Sequence, residues 1–272
     1  MTVKFAYHAN CWGPLGGNAV GVTSVTQLTY VTFGDMDRAV ADIARAGYAG
    51  IELFDGNLLE YSAKGSLRRA LDGAGLKLVA AYSGANFIFD EILEEELARI
   101  ERAAAAAAEA GAEHLVVGGG AKRATGALPG DIPKLGAALD QVVAIARAAG
   151  LRAHYHPHLS TIVEGPASVR DVFSHTTIDF CPDTAHLAAA GGDPAGLVRE
   201  LGDRVSYVHL KGLQREPFAF TPLDAGDLDN GEVIKALKER NFSGWVTAEL
   251  DAWSDPYSGA VRSLNYMKQA FA

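Results

Sequence analysis

Three histidines spaced by two, His154, His156 and His158, fall within the stretch Arg152-Ala-His-Tyr-His-Pro-His-Leu-Ser-Thr-Ile-Val-Glu164. Residues two apart on an extended strand share a face, so this stretch presents a row of imidazoles, and Pro157 marks where the strand stops pairing. Neutral imidazoles bind divalent transition ions and move protons near neutral pH. Three later segments repeat the idea: Phe180-Cys-Pro-Asp183-Thr-Ala-His186, Val208-His209-Leu-Lys211 and Val246-Thr-Ala-Glu249-Leu-Asp251. In each, a short apolar run delivers a carboxylate or an imidazole at its C-terminal end, where parallel α/β folds collect their chemistry.

The elements that must carry these residues follow a repeating pattern. A helix ends in a small residue plus glycine and an apolar strand starts soon after. Arg45-Ala-Gly47 precedes Ile51, Gly73-Ala-Gly75 precedes Leu78, Glu109-Ala-Gly111 precedes Leu115, and Ala148-Ala-Gly150 precedes Leu151. The residue just past a helix often adopts a left-handed backbone, which glycine tolerates best. Further strands are expected near Ile178, Val205 and Trp245, with Asn241 taking the glycine position before the last, and Val3 to His8 forms the first. Eight βα units imply parallel strands and predict a single (β/α)₈ TIM barrel spanning 1–272. A doubly wound open sheet is the fallback, but no Gly-x-Gly-x-x-Gly follows the first strand. The long first βα loop, Gly13 to Gly34, is expected to be a lid or binding loop, or a peripheral hairpin over the barrel mouth.

Composition narrows the partners. With 272 residues, 49% apolar and 21% charged, the chain is an ordinary globular protein. The formal charge of −9 argues against nucleic acid or an anionic membrane as partner. Two cysteines, Cys11 and Cys181, are too few for a disulfide framework. Met1-Thr-Val-Lys-Phe-Ala-Tyr7 lacks the plan of a signal peptide, and no apolar run is long enough to span a bilayer. A cytoplasmic location is the expectation.

In a barrel the ends of strands five to eight are neighbours on one rim, so His156, Asp183, His209 and Glu249 are expected to converge. Two imidazoles and two carboxylates suit one divalent ion, with Mn²⁺ expected and Co²⁺ or Zn²⁺ as alternatives, and they leave coordination positions for substrate.

The segments Asp183-Thr-Ala-His186-Leu, Val208-His209-Leu-Lys211 and Glu249 together resemble those of the xylose isomerase-like barrels. Within that superfamily, Tyr155-His-Pro-His-Leu-Ser-Thr161 and His186-Leu-Ala-Ala-Ala-Gly-Gly-Asp193-Pro are similar to inosose dehydratases. The large subunit of C-glycoside deglycosidases is a second similar group. The resemblance covers Ala149 to the C-terminus well and the first half in general layout. It implies a metal-dependent lyase acting on a keto-sugar or keto-cyclitol, by proton abstraction beside the carbonyl and β-elimination. His156 stands where epimerases of the superfamily usually carry glutamate, which weakens an epimerase reading, though a sugar isomerase or epimerase stays as the alternative. A silent barrel acting as a binding subunit is the non-enzyme alternative. Abasic-site endonucleases share the barrel, but the acidic charge opposes that activity. The implied partner is a small sugar, cyclitol or glycoside, with a homo-oligomer or a small partner subunit as further expectations.

Roles follow for the remaining residues. His158 is the candidate base, or else a substrate-orienting hydrogen-bond partner. Glu52, ending Gly50-Ile-Glu-Leu-Phe54, is a second acid/base candidate or an anchor for a substrate hydroxyl. Lys211 points the same way as His209 and is expected to stabilise an enolate or protonate a leaving oxygen. His186 is expected to hydrogen-bond a ligand or the substrate, and His154 to be a satisfied core histidine. His8 and Asn10 are candidates for substrate hydroxyls, and Trp12, Phe54 and Phe87 for apolar ring contacts, although core packing explains aromatics at strand ends more often. Gly118-Gly-Gly-Ala-Lys122-Arg123 lacks the P-loop pattern and reads as a flexible loop with solvated charges.

Overall fold

A parallel sheet wraps through the computed structural model, which describes residues 2–16 and 28–272. Its eight strands, numbered here along the chain, are β1 Val3–His8, β2 Gly50–Phe54, β3 Lys77–Ala85, β4 His114–Gly119, β5 Arg152–His156, β6 Asp179–Phe180, β7 Tyr207–Leu210 and β8 Gly244–Ala248. In space they run β6-β5-β4-β3-β2-β1-β8-β7, all neighbours parallel. Two isolated bridges, Phe180 to Val205 and Asp183 to His209, join β6 to β7 and close the barrel. Pro182 has no N–H to donate, but its carbonyl accepts the His209 N–H at 3.0 Å, and the closure there rests on these bridges.

Side chains alternate across the strands. Ala6, Val79, Val116, Cys181, Tyr207 and Trp245 form an inner cluster, while Tyr7, Val117, Val208 and Val246 pack outward in the larger core under the helices. Each fully buried Val, Leu or Ile there contributes roughly 1.5–3 kcal/mol.

The outer layer comprises helices α1 Met36–Ala46, α2 Asp55–Ala63, α3 Leu67–Ala74, α4 Asp90–Glu109, α5 Asp131–Ala148, α6 Pro166–Ser174, α7 Thr184–Ala189, α8 Pro194–Leu201, α9 Asn230–Glu239 and α10 Pro256–Phe271. The expected stops are in place. Gly47 adopts φ 98° and its N–H closes onto Ala44 and Ile43, and Asn241 adopts φ 52° before β8.

Two additions were not legible as βα units. A short hairpin pairs Gly212–Gln214 with Ala219–Thr221 after β7, and another pairs Leu15–Gly16 with Val31–Thr32 at the ends of the long first loop. The middle of that loop, residues 17–27, lies outside the described residues. Its return end is docked onto α2: Asp55 Oδ1 accepts from the Tyr30 N–H at 2.8 Å, and Asn57 exchanges two hydrogen bonds with the Thr32 backbone at 2.9 and 3.0 Å.

Candidate metal centre

At the C-terminal rim, β5, β7 and the segments after β6 and β8 bring His156, Asp183, His209 and Glu249 together. One potential ligand atom from each lies within 4.8 Å of all the others, and all four residues are buried. Asp183 caps α7: its Oδ1 accepts the His186 N–H at 2.9 Å, which leaves Oδ2 facing His156 Nε2 at 3.4 Å. His209 turns Nδ1 toward Glu249 Oε2 at 2.6 Å, without hydrogen-bond alignment, and places Nε2 3.1 Å from Glu52 Oε2. The other oxygen of Glu249, Oε1, accepts from Asn10 Nδ2 at 3.2 Å and Lys211 Nζ at 3.1 Å.

One fact makes this cluster suited to a metal ion. His156 Nε2, Asp183 Oδ2, His209 Nδ1 and Glu249 Oε2 are all buried and have no hydrogen-bond partner. Burying a polar atom unsatisfied costs about 1–3 kcal/mol, so four such atoms converging on one point form a site built for something else. The donor types suit a divalent transition ion.

The electrostatics agree. Burial disfavours charge on His209, yet Glu52 and Glu249 on either side raise its pKa to about 10. A ligating Nδ1 must shed that proton, so ion binding displaces it. Burial pushes the Asp183 carboxyl up, but His186 and Lys211 outweigh it, and Asp183 stays ionised. Glu249 is likewise held well below its usual range, burial being overcome by Lys211 and His209. Burial opposes charge on Lys211 too, but Asp251, Glu249 and Asp183 raise its pKa and keep it an ammonium.

A cavity of about 740 Å³ opens over the centre, and its wall includes His158, Glu249, Asp251, Tyr30, Phe54 and Tyr82. Tyr82 stands edge-on to His156 at 5.3 Å between ring centroids, and Tyr30 stacks on Phe54 at 5.6 Å. His158 lies against His186 with ring centroids 3.8 Å apart, and its Nδ1 is 2.7 Å from the Leu159 carbonyl oxygen. That contact makes Nδ1 the donor and leaves Nε2 as the proton acceptor. Burial, then the neighbouring His156, lowers the pKa of His158, so it is neutral.

The other expected residues divide. Lys211, Asn10 and His186 form the ring around Glu249: Lys211 Nζ is 2.6 Å from Asp251 Oδ1 and 3.3 Å from His186 Nε2, and Asn10 Nδ2 donates to Asp251 Oδ1 at 3.0 Å. Glu52 is fully buried beneath His209 and does not line the cavity, contrary to the substrate-facing role expected of it. His8 sits beside it, its Nε2 3.4 Å from Glu52 Oε1 and its ring edge-on to Phe54. Trp12 points away from the cavity, because its short 3₁₀ turn, Ala9–Trp12, rotates the indole outward to donate to Asp42 Oδ2 at 3.1 Å. Phe87, at φ 66°, is buried in the outer core, and of the three expected aromatics only Phe54 lines the cavity. His154 pairs with His114 at 2.9 Å deep in the barrel. Lys122 and Arg123 are ion-paired to Glu164 and Asp131, at 2.6 and 3.0 Å.

Asp251, Tyr30 and Tyr82 are among the cavity residues to which the sequence assigned no role. Asp251 follows Glu249 by two residues, the same spacing that singled out Lys211 after His209. Burial raises its pKa, with Lys211 opposing and Glu249 reinforcing.

Residues 40–270 match the family described as xylose isomerase-like TIM barrel. An inosose dehydratase from Clostridium perfringens is 24% identical over 268 residues, covering 86% of this chain and 89% of that protein. Among solved structures, 3-keto-D-glucoside 4-epimerase from E. coli superposes with a TM-score of 0.73 at 18% identity, covering 98% of this chain and 100% of that one. A protein named IolI, solved with a bound zinc atom, superposes with a TM-score of 0.74 at 16% identity, covering 98% of each chain.

Proposed function

The chain belongs to the xylose isomerase-like TIM barrel family, and on that premise we propose that it is a divalent-metal-dependent lyase acting on a keto-sugar or keto-cyclitol. The observation that carries this reading is the set of four buried, unpartnered donor atoms, one of them on Glu249 in the wall of a cavity that also carries His158 and Asp251. The similarity to an inosose dehydratase along most of both chains supports the substrate class.

His156, Asp183, His209 and Glu249 hold the ion. Bound, it polarises the substrate carbonyl and stabilises the negative charge that develops on its oxygen. Mn²⁺ is the ion we expect on two imidazoles and two carboxylates, and Zn²⁺, present in one structural neighbour, is the competitor.

His158 takes a proton onto Nε2 from the carbon next to the ketone. The electron pair released forms the new C=C bond as the C–O bond at the β carbon breaks. A proton from the Lys211 ammonium, handed on through Asp251 at 2.6 Å, goes to the departing oxygen, so water leaves. Lys211 does not line the cavity; it keeps positive charge next to the centre and fixes Glu249 and Asp251. A two-component assembly or homo-oligomer is compatible with this chemistry, and the free thiols Cys11 and Cys181 suit a reducing compartment such as the cytoplasm.

Incubation of the Mn²⁺-loaded protein with 2-keto-myo-inositol tests the proposal. Mass loss of one water, with a conjugated product seen in the ultraviolet, supports it. Exchange of the α-hydrogen with solvent, with a stereoisomer as product, would instead establish an epimerase.

A further inference from the structure

The floor of the centre holds a second set of polar groups that the elimination chemistry leaves without a role. Glu52 is fully buried inside the barrel, and its Oε2 receives two donors, His209 Nε2–H at 3.1 Å and the Tyr207 hydroxyl. The Tyr207 oxygen in turn accepts from Thr247 Oγ1 at 2.6 Å. Strand geometry explains the grouping. Tyr207 and His209 are two apart on β7 and share the inner face. Thr247 is the register partner of His209, and Glu52 that of His8. Every hydrogen in this chain points one way: Thr247 donates to Tyr207, and Tyr207 and His209 donate to Glu52. The Glu52 carboxylate accepts both at one oxygen and sets a negative charge behind the His209 ring.

We propose that Glu52 is a positioning residue for the ion. By accepting the Nε2–H of His209 it fixes that ring's tautomer and orientation and leaves Nδ1 as the ligand atom, while Tyr207 and Thr247 hold Glu52 in place. The inference rests on the metal-centre reading above and adds a supporting carboxylate to it. A carboxylate behind a ligating histidine raises the ring's basicity, and losing such a partner typically weakens metal affinity by about 10–100-fold. Glu52 does not touch substrate, since it lies on the far side of His209 from Glu249 and outside the cavity wall.

The test is the dissociation constant for Mn²⁺ and Co²⁺, measured by competition with a chromogenic chelator on the full chain, together with the visible spectrum of the Co²⁺ form. In Glu52→Gln the amide oxygen can still accept both donors, but the negative charge behind His209 is lost and the NH₂ takes the place of the oxygen that faces His8. Affinity should fall at least tenfold, with a shifted Co²⁺ spectrum and an unchanged far-ultraviolet circular dichroism spectrum. Tyr207→Phe removes one of the two donors and should weaken binding by a smaller factor, and it decides the question if Glu52→Gln fails to fold. Folded variants that bind both ions as the wild type does, with the same Co²⁺ spectrum, would overturn the role of Glu52 and leave the metal centre standing. A wild-type protein that takes up neither ion would overturn both.

Discussion

Lys211 Nζ lies 2.6 Å from Asp251 Oδ1, and Asn10 reaches the same oxygen at 3.0 Å from the 3₁₀ turn after β1. Both donors also bind Glu249 Oε1. The four groups close a ring in which one oxygen of Glu249 is locked and the other, Oε2, is presented to the centre. Lys211 is thus the counter-ion that makes three neighbouring carboxylates, Asp183, Glu249 and Asp251, tolerable in one buried place.

Lys211→Met should therefore be destabilising in the metal-free protein. It strands the carboxylates without their cation, an effect of roughly 3–5 kcal/mol for a buried pair broken on one side. Urea unfolding of both proteins in the presence of chelator measures it, and a change under about 1 kcal/mol would show that Lys211 carries no structural charge.

His158→Asn removes the proton acceptor and leaves the four ligands alone. Turnover should drop by about 10²–10⁴-fold, the usual worth of a positioned base, while metal content stays at the wild-type level. Equal loss of metal and turnover would place His158 in the centre instead.

Trp12→Phe separates the outward-facing indole from substrate recognition. Losing the hydrogen bond to Asp42 should lower stability by about 1 kcal/mol and leave KM for the keto substrate unchanged. A raised KM would return Trp12 to the binding site.

The buried pair His114 and His154 gives the fold an acid limit. Burial lowers the pKa of His114 to about 4, and that of His154 well below its usual value. Both are neutral in the fold, whereas in the unfolded chain a histidine takes up its proton near 6.5. The unfolded state therefore binds more protons below that point. Stability is whole above pH 6.5 and declines as pH falls toward 4. Thermal midpoints taken across that window should fall, and fall less steeply in His114→Gln; parallel slopes would contradict the assignment.

Much of this was legible in the sequence. Glycine or asparagine after helices such as α1, α3 and α9 marks a left-handed stop, and the two-residue spacing of strand side chains put His156 and His209 on the inner face. The barrel rule then predicted that His156, Asp183, His209 and Glu249 would meet at one rim. What the period of two does not give is depth. Glu52 and His8 are on the right face but lie beneath the centre, because the stagger between strands sets height. Trp12 was misplaced for a different reason: the chain leaves β1 through a 3₁₀ turn, where strand alternation no longer applies. Tyr30 reaches the cavity because the returning loop is bonded to α2, its N–H donating to the Asp55 carboxylate, a long-range contact without local pattern.

The central claim is that His156, Asp183, His209 and Glu249 hold one ion. Elemental analysis of the purified protein after loading with Mn²⁺, beside Asp183→Asn and Glu249→Gln, tests it most directly. The account predicts about one divalent ion per chain, as expected for a single four-ligand site, and its loss in both variants. A wild-type chain with no bound ion, or variants that keep it, would contradict the account.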